Sequence, residues 1–218
     1  MEKKITTELI VVRHGETIWN EKGLIQGHLD TDLSPLGIRQ AEAIAERLTE
    51  EKVTAIYSSD LKRSYKTAEY LAAKTEHKII ADSRLRERSL GIFQGLSMDE
   101  VKRKYPDEFN LYETAGPDYV VPEGESRRQQ FERAIECIKE IVGRHAGGRI
   151  VVVTHGGVLN GLFRYVFDIP ISVPTRFKLF NASINTFSIE NGTWLLSTWG
   201  DVSHLQDIGV SVKWIDGD

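Results

Sequence analysis

Two unbroken apolar runs dominate the hydrophobic pattern: Leu9-Ile10-Val11-Val12 near the start and Ile150-Val151-Val152-Val153 late in the chain. Short β-branched runs bounded by glycine read as strands buried on both faces. Val53 to Tyr57 reads as a further strand and Lys78 to Ala81 as a short edge-like one. Between the runs the apolar period changes from continuous to 3.6. Ser34-Pro35 opens a helix, serine as N-cap and proline at the first helical position, with Ile38, Ala41, Ala45 and Leu48 as its stripe. Asp60 is expected to cap a helix running to about Ala73. A long helix begins at Ser126, with Phe131, Ala134, Ile135, Ile138, Ile141 and Val142 on one face, and another covers about 157–167. Ala182 to Ile189 and Thr193 to Ser197, joined by Asn191-Gly192, read as a hairpin. Strands alternating with helices predict an α/β fold, a three-layer α/β/α sandwich around a mostly parallel sheet.

The regular pattern lapses over 85–125. Ser97-Met98-Asp99-Glu100 is a capping box opening a short helix, which Tyr105-Pro106 is expected to end. The reading is a single domain over 1–218 with an insert at about 92–122 that has room to form a lid. With 218 residues, 40% hydrophobic and 28% charged, the chain can bury a full core. A net charge of −4 argues against a nucleic-acid partner. No apolar stretch approaches the length that crosses a bilayer, and the start shows no signal core, so a cytoplasmic protein is expected. One cysteine, Cys137, excludes an internal disulfide; it reads as an inert residue at the edge of its helix's stripe.

Each long apolar run ends in a histidine followed by glycine: Arg13-His14-Gly15-Glu16-Thr17 and Thr154-His155-Gly156-Gly157. Open α/β sheets build their sites at the carboxyl ends of strands, so one pocket made from two distant parts of the chain is expected. Arg13, and Arg63 on the first turn of its helix, suit a phosphoryl dianion, which a guanidinium meets with a planar fork of donors. Nearby cations disfavour imidazolium, so His14 is expected to be neutral, its other nitrogen held by a backbone carbonyl, with a lone pair able to attack phosphorus. His155 can donate to the transferring group, and Asn20 can add an amide donor. Glu87, in Leu85-Arg86-Glu87-Arg88, is the candidate acid for a leaving alkoxide, with Arg86 and Arg88 expected to point elsewhere. Glu16 is a rival acid that can instead shape the loop.

The chain resembles the histidine phosphatase superfamily, in its phosphoglycerate mutase-like branch. The resemblance is carried by Arg13-His14-Gly15-Glu16-Thr17 with Trp19-Asn20, Gln26-Gly27, Asp32-Leu33-Ser34, Ser58-Ser59-Asp60-Leu61-Lys62-Arg63 with Thr67-Ala68, Leu85-Arg86-Glu87, Gly124-Glu125-Ser126 and Thr154-His155-Gly156, in family order over nearly the whole chain. It implies the family's fold and a phosphomonoesterase in which His14 is the phosphohistidine nucleophile and Glu87 the proton donor. It also implies that Arg13, Arg63, His155 and Asn20 hold the phosphoryl group, with Gln26, Gly27 and Gly156 at the substrate, and that no metal or other cofactor is needed. Cofactor-dependent mutases of the family carry a pair of arginines in the insert, whereas this chain has no Lys or Arg between Lys104 and Arg127. It also reads Glu87-Arg88-Ser89-Leu90-Gly91 and His155-Gly156-Gly157 where mutases tend towards Glu-Arg-His-Tyr-Gly and His-Gly-Asn. These departures favour a broad-range phosphatase over a mutase or a non-catalytic phospho-ligand binder. Tyr105, Phe109, Tyr112 and Tyr119 could line a pocket for an apolar or aromatic leaving group, although such aromatics more often pack. His28, His77, His145 and His204 read as surface or structural, and Arg127-Arg128 as solvated or pocket-facing. The expected partner is a small-molecule phosphomonoester, with a homodimer possible through Val173 to Phe180 or the late hairpin.

Overall fold

The computed structural model describes residues 5–209. Six strands form one sheet in the order β3-β2-β4-β1-β5-β6: β1 (Thr6–Arg13), β2 (Ala55–Ser58), β3 (Ile79–Ala81), β4 (Arg149–Thr154), β5 (Ile184–Glu190) and β6 (Thr193–Asp201). The first four run parallel, and β5 and β6 add an antiparallel hairpin at one edge. Alternation of side chains along a strand explains why the central runs are apolar throughout. Leu9 and Val11 of β1 and Val152 of β4 face α6 (Arg127–Arg144) and α7 (Gly156–Val166), where they meet Ile138, Ile141 and Leu159. Ile10, Val12 and Val153 face α2 (Pro35–Leu48) and α3 (Lys62–Thr75), where they meet Ile44, Leu48 and Leu71. Two cores on opposite faces of one sheet make the expected three layers.

Most predicted elements form, with shifted ends. Ser34, Ser97 and Ser126 each accept a backbone N–H as N-caps, the last two within full capping boxes. Several expectations fail for local reasons. Asp60 does not cap α3; its carboxylate takes a two-pronged bond from Arg86, and Ser59 Oγ accepts the Leu61 N–H instead. Ile38 is 39% exposed, and Gly37 and Gln40 take the buried positions on α2. Pro106 ends α4 (Met98–Lys104) but at once starts α5 (Pro106–Thr114), since a proline costs nothing at a first helical position. The short α1 (Ile18–Lys22), capped by Thr17 and closed by Gly23, was not foreseen.

Residues 90–121 build a third, smaller core from Phe93, Val101, Tyr112 and Val121. Tyr105, Phe109 and Tyr119 pack against it, and Tyr112 is 4% exposed with its hydroxyl accepting from Arg88 Nη2. The insert's aromatics therefore pack within the insert, and Phe109 also lines a cleft. Cys137 is fully buried in the main core, and burial pushes its thiol up to about 12.

Candidate active site

Register decides where the chemistry lies. Arg13 pairs with Thr154 across the parallel β1–β4 ladder, so His14 and His155 leave neighbouring strands at one level. Their rings sit edge to face, 5.2 Å between centroids. Ser58 pairs with Val153 on the other side of β4, bringing the start of α3 to the same end of the sheet. The loop after β1 lies directly on α2. A Cβ on Gly15 would stand 2.6 Å from the Gly37 carbonyl oxygen, and one on Gly37 would stand 1.9 Å from that of Glu16. Only paired glycines allow this backbone contact. Gln40 Oε1 accepts from Glu16 N–H and Thr67 Oγ1 from Gly15 N–H, so side chains of two helices fix the loop. Ala182, held at φ +60°, donates its N–H to the carbonyls of Arg13 and His14, and Asn181 Nδ2 donates to His14 as well.

His14 is 3% exposed, and its Nδ1 lies 2.7 Å from the Gly15 carbonyl. A carbonyl only accepts, so Nδ1 carries the proton and Nε2 keeps a lone pair. Burial, then Arg63 and Arg13, push the His14 pKa well below its ordinary value. His155 is likewise depressed by burial, then by Arg63, His14 and Arg13. Its Nε2 meets Ser59 Oγ at 2.8 Å and Ser64 Oγ at 3.2 Å. Arg63 is anchored by Nη2 on the Gly27 carbonyl (2.7 Å) and Nη1 on that of Leu29 (3.1 Å); Arg13 Nη1 holds the Leu179 carbonyl. Burial pulls both guanidinium pKa values down to about 10. After these anchors, Arg13 Nε, Arg63 Nε and His155 Nδ1 remain buried with no partner among the described residues. Buried polar atoms are nearly always paired, so unpaired ones around one histidine mark a place for an anion.

Glu87 enters from the loop after β3. Its Oε1 accepts from Arg88 N–H (2.9 Å) and Gln130 Nε2 (3.0 Å), and its Oε2 from Gly157 N–H (3.1 Å). Beneath it, Arg133 donates to the carbonyls of Arg84, Arg86 and Glu87 and pairs with Glu125. Burial opposes the Glu125 charge, but His28 and Arg133 outweigh it and hold the carboxyl at about 2. Arg86 and Arg88 do turn away, to Asp60 and Tyr112.

The remaining candidates divide. Asn20 closes the α1 capping box, its Oδ1 accepting from Thr17 N–H and Thr17 Oγ1, which leaves Nδ2 as its donor. Gln26 Oε1 lies 3.1 Å from Thr17 Oγ1, an alternative acceptor for that one hydroxyl proton. Gly27, at φ +51°, gives its carbonyl to Arg63, and Gly156 is the first residue of α7. Glu16 accepts from Ser34 Oγ and shapes the loop. His28 is no bystander, because its Nε2 lies 2.8 Å from the Glu87 carbonyl. Gln130, Gly157, Arg133, Ser59, Ser64, Gln40 and Asn181 were not anticipated. One signal existed: Gln130 stands one turn before Ala134 on an otherwise apolar stripe and is 6% exposed. No group of three or more His, Cys, Asp or Glu among the described residues could hold a metal ion, and no helix among them is long and apolar enough to cross a membrane.

An α/β sandwich presenting neutral imidazoles and buried guanidinium groups at adjacent strand ends defines a pocket for a small tetrahedral anion. Comparison with known proteins gives the lineage: residues 9–202 match the model of the histidine phosphatase superfamily (branch 1), and the chain belongs to that family. It is 41% identical over 215 residues to phosphoglycerate mutase-like protein 4 of Arabidopsis thaliana, covering 97% of this chain and 92% of the relative. It is 40% identical over 216 residues to a metal-independent phosphoserine phosphatase of Arabidopsis thaliana, covering 97% and 89%. The solved structure of Bacillus stearothermophilus YhfR superposes with a TM-score of 0.84 at 33% identity, covering 92% of this chain and all of that one (100%).

Proposed function

We propose that this chain hydrolyses small phosphomonoesters through a phosphohistidine on His14. The observation that carries the reading is the set of buried, unpartnered donors on Arg13, Arg63 and His155 around a histidine whose lone pair lies on Nε2. Phosphoryl transfer depends on positioning and charge stabilisation, which such donors supply without reorganising. In the first step His14 Nε2 attacks phosphorus, the ester P–O bond breaks, and Glu87 passes a proton to the departing oxygen. In the second, Glu87 takes a proton from water as its oxygen attacks phosphorus, the P–N bond breaks and inorganic phosphate leaves. Arg13, Arg63 and His155 hold the phosphoryl oxygens, with the Asn20 amide as a further donor and Gln26, Gly27 and Gly156 at the pocket wall. The insert over 92–122 acts as the cover that selects the alcohol. The proposed setting is cytoplasmic, and the exposed edge strand β6 is the element proposed to pair with a second copy.

The relative's name favours one alternative, a phosphoglycerate mutase. The sequence between Lys104 and Arg127 weighs against it, since it lacks the basic pair such an enzyme uses. The test is single-turnover phosphoenzyme trapping with a chelator present. Wild type is expected to form an acid-labile adduct and release phosphate, and His14→Ala to do neither. Substantial phosphate release by His14→Ala refutes the assignment. Isomerisation of phosphoglycerate that depends on added bisphosphoglycerate, in place of phosphate release, supports the mutase. No turnover at all supports a binding protein.

A further inference from the structure

The two site histidines are held in different ways. A backbone carbonyl, which only accepts, fixes the His14 ring. His155 is fully buried, and its Nε2 faces two hydroxyls, Ser59 Oγ at 2.8 Å and Ser64 Oγ at 3.2 Å. A hydroxyl can donate or accept, so these contacts alone allow two forms of the neutral ring. In one, Nε2 carries the proton and gives it to a serine. In the other, a serine gives its proton to Nε2 and the ring proton sits on Nδ1. The surroundings of Ser59 separate the two. Ser59 Oγ, itself fully buried, already accepts the Leu61 N–H at 3.3 Å. Among the described residues, the only acceptor bonded to its hydroxyl is His155 Nε2. Protonating Nε2 would leave the Ser59 proton buried without a partner, which folded proteins avoid. Ser64 has a second outlet, the Thr154 carbonyl at 3.5 Å, so it can yield to Ser59. His155 Nδ1, the other ring nitrogen, is one of the unpartnered buried atoms around His14. A lone pair there would repel an anion, and a proton there would bind it.

We propose that Ser59, with Ser64 behind it, sets the tautomer of His155 and so makes the ring's Nδ1–H a donor to the phosphoryl group. Ser59 touches no reacting atom and is a positioning residue. The inference rests on the proposed phosphoryl site and adds how its second imidazole is held. Both rings then carry their proton on Nδ1 but turn opposite ends to the anion. His14 offers a bare Nε2 and His155 a proton, so the serines separate the donor from the nucleophile. With its proton on Nε2, His155 would instead present a second lone pair and repel the group it is meant to hold. Ser64 directly follows Arg63, so the first turn of α3 supplies both a phosphoryl donor and a support for another.

The experiment reads the proton directly. Long-range 1H–15N spectra of protein labelled with 15N-histidine, taken at pH 7.5 without phosphate, identify the protonated nitrogen, and His155→Gln assigns the signal. Binding of inorganic phosphate and kcat/KM on an aryl phosphate are measured alongside for wild type, Ser59→Ala and Ser59→Ala/Ser64→Ala. Wild type is expected to show His155 protonated on Nδ1 alone. The double variant is expected to gain the Nε2–H form and to lose about 100-fold in phosphate affinity and in kcat/KM. Ser59→Ala, with Ser64 still in reach, is expected to lose about 10-fold. An Nε2–H or doubly protonated ring in wild type overturns the proposal, and this spectrum decides even if a variant fails to fold. A rate loss in the double variant with Nδ1–H unchanged is a merely structural effect and overturns it too, as does a shifted tautomer with phosphate binding unaltered. Wild type that shows Nδ1–H and binds phosphate but hydrolyses no ester sinks the phosphatase reading and leaves this assignment standing.

Discussion

Gly157→Ala isolates the placement of the acid from everything else in the site. A Cβ there would lie 2.2 Å from Glu87 Oε1 and 2.5 Å from Gln130 Nε2. Ordinary contact requires the carboxyl to retreat by roughly 1 Å, and a misplacement of that size costs on the order of 100-fold in rate. The hydrogen bond from Gly157 N–H to Glu87 Oε2, 3.1 Å long, is stretched or lost in the same movement. The three nearest atoms are all ends of flexible side chains, so the fold can yield cheaply. Replacing glycine by alanine inside a helix offsets that by up to about 1 kcal/mol. The assay is kcat for an alkyl phosphate against an activated aryl phosphate, together with the urea midpoint. We expect about a 100-fold loss on the alkyl ester, a much smaller one on the aryl ester and an unchanged midpoint. Equal losses on both esters, or a collapse of the midpoint, refute the role given to Glu87.

Acid is expected to unfold the protein through its site. His14 and His155 are held neutral in the fold by burial and nearby arginines, so below about pH 6.5 the unfolded chain binds protons that the folded one does not. Stability attributable to them is flat above that pH and falls by up to about 1.4 kcal/mol per histidine per pH unit below it; urea titrations at pH 7.5, 6.5 and 5.5 would reveal a flat or rising trend if this is wrong. Gly37→Ala meets backbone, a Cβ standing 1.9 Å from the Glu16 carbonyl oxygen, and is expected to cost about 3 kcal/mol or more. Gly143→Ala, with nothing within 4 Å, is the control and should stabilise slightly in the same thermal melts.

Arg13, His14 and His155 were readable because each stands at the end of a strand, where sequence and space coincide. His14 and His155 follow the two longest apolar runs, and parallel pairing of those runs makes them neighbours. Their supports were not readable in the same way. Ser59 and Ser64 reach His155 across 96 and 91 residues of chain, and Gln130 reaches Glu87 across 43, through contacts that no local pattern encodes. Asp60 shows the opposite error. It has the composition of a cap, but a guanidinium from another loop offers its carboxylate a stronger, charged partner than a backbone N–H. Pro106 misled because proline is forbidden inside a helix and welcome at its beginning, and here a new helix starts where the old one stops.

The small core of Phe93, Val101, Tyr112 and Val121 is separate from the two that flank the sheet. A chain arranged this way can revise its choice of guest by repacking one local cluster, while the reaction machinery stays seated on strands that such changes do not touch. The Arg88–Tyr112 hydrogen bond is a stitch between those halves, since Arg88 adjoins Glu87 along the chain. In the proposed reaction a shift of the insert therefore has a direct mechanical line to Glu87, so selection of a guest and readiness to react can be tuned together.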